Sequence, residues 1–226
     1  MKTVYFISGL GADNSVFQLL DLSYCNPVFI EWIQPFHHES LQSYALRLKQ
    51  TYMPDDAIII GLSFGGMLAT EIVKAFPKIK VILISSAKTL HEIPGGYRIG
   101  KYLPLYKLTP NFLQKVIMRI LRKRMGVESD KGIEIYESII QRTDIPFYKW
   151  AIEALIHWNN TVVPGNIKHI HGTADKVLPY KLVKADYTIE NGSHLMIMEN
   201  AQQISLLLNS LINNSKVQVS DTTMMP

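Results

Sequence analysis

With one cysteine, Cys25, in 226 residues, the chain cannot close an internal disulfide, so its stability has to come from a packed apolar core. Long hydrophobic runs are missing too, since none approaches the ~18 residues that a membrane-spanning helix needs. The first apolar run opens at Val4, too near Met1 to leave room for the charged and apolar parts of a secretory leader. Together with the lone cysteine, this makes a reducing, cytoplasmic setting the expectation. The stretch Gly9-Leu10-Gly11-Ala12-Asp13-Asn14 has neither G-x-G-x-x-G spacing nor a Walker lysine, so no cofactor is expected there. Metal ligands are equally sparse: His37 and His38 have only Glu39 beside them, and no metal is expected. No repeat, low-complexity tract or nucleic-acid motif is present, which removes nucleic acid from the expected partners. The last scarcity is local. From position 97 to 125 the chain has eight Lys or Arg and no acid, within a net charge of only +4.

What is present is a 47% hydrophobic, 19% charged chain long enough for one sizeable domain. Short apolar runs bounded by turn signals occur at 4–8, 28–32, 56–60, 81–85, 167–170 and 187–190. Segments of helical spacing separate them, among them one with Leu41, Tyr44, Ala45 and Leu48 on one face and Ser40 as its cap. The pattern predicts an α/β protein with a doubly wound, mostly parallel six-stranded sheet. The strand signal disappears over 88–160, which reads as a largely helical insertion between core segments 1–87 and 161–212. Residues 213–226 read as a polar tail.

One turn stands out. Gly61-Leu62-Ser63-Phe64-Gly65 is a G-x-S-x-G with an apolar run before it and a helix after it, running through Met67, Leu68, Ile72 and Val73. A serine on such a strand-to-helix turn is lifted clear of the sheet, and the amide of Phe64 points to where an oxyanion would form. Side chains at Gly61, Gly65 or Gly66 would collide with the neighbouring strand or helix. Reactive groups in a doubly wound sheet gather beyond the carboxyl ends of its strands. Two residues qualify there. Asp175 follows the fifth run and His194 follows the sixth, which gives the order Ser, Asp, His. His194 would take the proton of Ser63, and Asp175 would fix its tautomer. Ser8-Gly9-Leu10-Gly11 after the first run would supply the second oxyanion amide, that of Leu10.

The remaining candidates are weaker. Asp186 precedes a strand, at the wrong end of the sheet, and the loop after the fourth run has Ser85, Ser86 and Ala87, with Glu92 its nearest acid. His169 and His171 read as scaffold histidines within a strand, and Cys25 as a small apolar residue.

Three segments, Gly61-Leu62-Ser63-Phe64-Gly65-Gly66, His171-Gly172-x-x-Asp175-x-x-x-Pro179 and Gly192-Ser193-His194, resemble the nucleophile, acid and base segments of the α/β-hydrolase family. The resemblance spans about 210 residues. It implies a sheet order of 2-1-3-4-5-6 without the usual antiparallel first strand, the insertion as a cap, and a Ser63–His194–Asp175 triad. One departure is Ser8-Gly9, where many members have His-Gly. The implied activity is hydrolysis of a small carboxylic ester or thioester through an acyl-serine. The same constellation also serves C–C bond hydrolysis and perhydrolysis, and a binding or scaffold protein that has lost turnover is the rival from another class.

On the helix beginning near Asn111, the apolar stripe is expected to face inward, with Lys115, Arg119, Arg122, Lys123 and Arg124 mostly on the other side. That charge reads as a solvated face or as a contact for an anionic substrate or a membrane surface. Tyr97, Tyr102, Tyr106, Phe112, Phe147, Trp150 and Trp158 read as the lining of an apolar pocket.

Overall fold

Alternation along each short apolar run decides which layer its side chains enter, as the computed structural model shows over the residues it describes, 1–213. The tail beyond Asn213 lies outside the described residues. In β1 (Thr3–Ile7), Val4 and Phe6 join one apolar cluster while Ile7 joins the other. Then come β2 (Asn26–Phe29), α1 (Leu41–Tyr52), β3 (Ile58–Leu62), α2 (Phe64–Ala75) and β4 (Lys80–Ile84). Ser40 caps α1 as expected, its hydroxyl accepting from the amide of Ser43 at 3.1 Å. Between β4 and the next strand lie α3 (Leu105–Leu108), α4 (Asn111–Met125), α5 (Asp130–Arg142) and α6 (Ile145–His157). The chain closes with β5 (Ile167–Gly172), β6 (Tyr187–Ile189), α7 (Met196–Glu199) and α8 (Ala201–Asn213).

The sheet order is β2-β1-β3-β4-β5-β6 and every pairing is parallel. The six-stranded α/β expectation therefore holds, in its all-parallel form. Two strands are shifted from the sequence reading. The second spans Asn26–Phe29 and leaves Trp32 in a loop; β3 continues through Gly61 and Leu62, which still pair with Leu83 and Ile84, and so delivers the chain directly to Ser63.

One face of the sheet packs on α1 and α2, where Leu41, Tyr44, Leu48, Leu68 and Ile72 are buried. The other packs on α7 and α8 through Met196, Ile204 and Leu208. Helices α5 and α6 extend these two layers rather than building a third: Ile135 and Ile139 join the second cluster, Phe147 and Ala151 the first. Among the described residues no helix is long and apolar enough to cross a membrane.

Two sequence expectations fail on the surface of this scaffold. Tyr102 and Phe112 are 88% and 72% exposed, so neither lines a pocket, whereas Phe147 and Trp158 are buried. Helix α4 buries Gln114 and Met118 instead of its apolar stripe. The 100° step per residue puts Arg119 and Lys123 on the same outward face as Phe112, Val116 and Ile120.

Candidate active site

Ser63 stands between the last residue of β3 and the first of α2, with φ 50° and ψ −115°. That region is strained for any residue with a Cβ, at a cost of about 1–3 kcal/mol. Contacts on both sides hold it. The Ser63 amide donates to the Ile84 carbonyl at 2.9 Å, and its carbonyl accepts from the Ser86 hydroxyl at 2.6 Å and the Gly66 amide at 3.0 Å. The glycines make the turn possible. A Cβ at Gly65 would stand 2.3 Å from the Ser8 carbonyl oxygen, and one at Gly61 would stand 2.5 Å from Gly66 Cα. The sequence reading gave Ser86 no part, because a hydroxyl acting on a distant carbonyl leaves no local signature.

His194 Nε2 lies 2.9 Å from Ser63 Oγ, and His194 Nδ1 lies 2.8 Å from Asp175 Oδ2. The structure thus brings together the three side chains that the sequence singled out from three separate loops. The carboxylate can only accept from Nδ1–H, which leaves the lone pair of Nε2 for the serine hydroxyl. The loops that carry Asp175 and His194 are sewn to each other. The Ala174 amide donates to the Gly192 carbonyl at 3.0 Å, the Asn191 amide donates to Thr173 Oγ1 at 2.8 Å, and a Cβ at Gly172 would meet the Gly192 carbonyl oxygen at 2.1 Å.

Asp175 is buried, yet its Oδ1 accepts from the amides of Val177 at 2.7 Å and Leu178 at 2.9 Å. Burial pushes its carboxyl up, but the charge of His194 and the donors from His171, His194 and Leu178 outweigh that and hold it below the usual carboxylate range.

His171 is the residue whose role the sequence did not reveal. Its Nε2 lies 2.8 Å from the Leu178 carbonyl and 3.3 Å from Asp175 Oδ2, both acceptors, so Nε2 bears the proton. Its Nδ1 then accepts from His169 Nε2 at 3.2 Å, which leaves His169 Nδ1 buried without a partner. Burial, then the nearby His171 and Lys88, keep His169 from protonating in its ordinary range; only Asp175 opposes them. A run of two buried imidazoles therefore ends on the carboxylate. Position in the chain gave a signal, since His171 closes the strand just before the acid loop, but strand alternation alone does not aim a side chain at a residue four positions on.

The loop after β1 lies against the serine, since a Cβ at Gly9 would meet Ser63 Cβ at 3.5 Å. Among the described residues, the amides of Leu10 and Phe64 donate no hydrogen bond. A cavity of about 220 Å³ opens beside that loop, lined by Ala12, Trp32, Ile139, Thr143 and Phe147. Asp186 accepts from the His169 amide at the start of β5, away from the serine, and Glu92 is buried against the amides of Lys88 and Lys184. Among the described residues no group of three or more His, Cys, Asp or Glu forms a metal cradle.

No family model and no curated protein matches the chain in sequence. Solved structures do match it in fold. An esterase from Exiguobacterium antarcticum is 13% identical at a TM-score of 0.72, with 94% of this chain and 92% of that one covered. An esterase from Thermogutta terrifontis is 12% identical at 0.71, covering 95% and 90%. A bromoperoxidase from Bacillus anthracis is 11% identical at 0.69, covering 94% and 92%.

Proposed function

We propose that this chain, which has the α/β-hydrolase fold of those neighbours, is a serine hydrolase cleaving small carboxylic esters or thioesters. The observation that carries the reading is the unbroken hydrogen-bonded series from Ser63 Oγ through His194 to Asp175, with the serine held in a strained turn at the start of α2. In this mechanism Ser63 Oγ attacks the acyl carbonyl while His194 Nε2 takes its proton. The oxyanion is received by the free amides of Leu10 and Phe64. Collapse expels the alcohol or thiol, which leaves with the proton from His194. Water, deprotonated by the same nitrogen, then releases the acid from the acyl-serine. Asp175 remains ionised throughout and stabilises the imidazolium.

The helices between β4 and β5 serve as the cap in this reading. Support comes from α4, whose last turn is tied to the base loop: the Leu195 amide donates to the Met125 carbonyl at 3.0 Å, and Ser193 Oγ to that of Gly126 at 3.1 Å. A cytoplasmic setting fits the single cysteine, which is buried and unpaired. A second reading rests on the bromoperoxidase among the neighbours. In that reading hydrogen peroxide replaces water at the acyl-serine of this chain and the product is a peracid.

The test is turnover of p-nitrophenyl acetate, butyrate and octanoate and the matching acyl thioesters. Ser63→Ala should lower kcat by about 10⁴-fold or more. Hydrolysis persisting at the native rate in Ser63→Ala would overturn the assignment.

A further inference from the structure

Helix α4 is turned the wrong way round for a helix that faces only water. The buried members among its 15 residues are Gln114 and Met118, and Gln114 Nε2 donates to the Tyr106 carbonyl at 3.0 Å. On the opposite side Phe112, Val116 and Ile120, spaced by four, form one stripe, with Phe112 and Ile120 each 72% exposed. Leu108, at the end of α3 and three residues before the start of α4, is 81% exposed as well. A water-facing helix buries such a stripe, and a contiguous exposed apolar patch marks an interaction surface.

Cations flank and interleave the stripe. Arg119 and Lys123 share its face, and the whole segment from 97 to 125 has eight Lys or Arg without an acid. Four of these cations already have partners: Arg119 pairs with Glu137 at 2.7 Å and Lys115 donates to the Gln141 carbonyl, both on α5, while Lys107 of α3 pairs with Glu153 at 2.8 Å and Arg122 donates to the Val127 carbonyl just past the end of α4. Lys123 remains exposed toward the C-terminal end of the stripe, while Arg124, one step round the helix, reaches the Tyr97 hydroxyl.

We propose that the outward face of α3 and α4 docks on an anionic lipid surface. The apolar stripe enters the boundary between headgroups and acyl chains, while the cations beside it meet the lipid phosphates. A second copy of the chain is a poorer occupant, because a twofold contact would set an acid-free segment against itself.

The test is flotation of the full-length protein with phosphatidylcholine vesicles, with or without about 30% phosphatidylglycerol, at low and high salt. Binding is read without turnover, so its outcome is independent of the chemistry at Ser63. The native protein should float with the anionic vesicles and be released by salt. The double variant Phe112→Ser/Ile120→Ser should bind about tenfold more weakly, and Lys123→Glu about fivefold more weakly. These positions are exposed, so the fold is not at stake. Failure of the native protein to float, or equal binding by all variants, overturns the proposal. So does a dimer in sedimentation velocity that the double variant dissociates, which would assign the face to a second copy.

Discussion

At Ser63 the backbone adopts φ 50°, and the contacts that hold it there come from three places: the Ile84 carbonyl, the Ser86 hydroxyl and the start of α2. Strain of this kind persists only where the surroundings over-determine it. Asp175 is over-determined in the same way, with two backbone amides on one oxygen and two imidazoles on the other. Those donors are why a buried carboxyl can remain ionised beside His194. Asp175→Asn should cost about 10⁴ in kcat, because the amide stabilises the wrong imidazole tautomer. In the proposed mechanism His171 would act one step further out, by positioning Asp175. Replacing it with Leu removes a hydrogen bond to a charged group and should lower kcat about tenfold with KM unchanged. His171→Gln, which keeps an N–H near the same place, should restore most of that loss. Equal kcat in His171→Leu and the native protein would remove the residue from the mechanism.

Secondary-structure elements explain why those residues meet. Strand β3 runs up to the serine, α2 starts one residue after it, and the turn closes only because Gly65 passes under the Ser8 carbonyl. Gly65→Ala should therefore destabilise the protein by about 3 kcal/mol, since the clash is with backbone that cannot rotate away. Gly96→Ala is the control. A Cβ there meets nothing within 4 Å, and the urea midpoint should hardly move. Equal midpoints for the two variants would contradict the close approach. This turn was legible in the sequence because its requirements are local: a strand, a small-residue corner and a helix in unbroken succession. Asp175 and His194 were legible because each follows a strand by a few residues. Helix α4 was not. Its amphipathic spacing is plain, yet spacing gives a helix two faces and leaves open which one the rest of the molecule covers.

For the whole molecule, the apolar runs revealed the six strands, since strands buried on both faces read as continuous Val, Ile and Leu, whereas their order in the sheet came from the resemblance of the three loop segments to the α/β-hydrolase family. The docking of 88–160 depends on contacts such as Ser193 Oγ with the Gly126 carbonyl, between residues far apart in the chain, and no local pattern encodes them. Stability should also carry the mark of the buried ionisable groups. Asp175 has a lowered folded pKa, so its contribution is fully present above about pH 4, the ordinary carboxylate range, and is lost as pH falls through the folded value. His169 is likewise held below its ordinary range. The unfolded chain takes up a proton that the folded chain refuses, so stability should fall by up to about 1.4 kcal/mol per pH unit below about pH 6.5. Urea unfolding at about pH 7.5 and pH 5.5 measures that slope, and His169→Leu should flatten it. An unchanged slope in the variant would place the proton uptake elsewhere.

The account turns on whether Ser63 is an activated nucleophile. The most direct measurement is labelling of the purified protein with a fluorophosphonate, followed by intact mass and peptide mapping. Stoichiometric modification of Ser63, lost in Ser63→Ala and sharply slowed in His194→Ala, is the predicted result. Absence of modification in the folded protein, or modification at another residue, would contradict it.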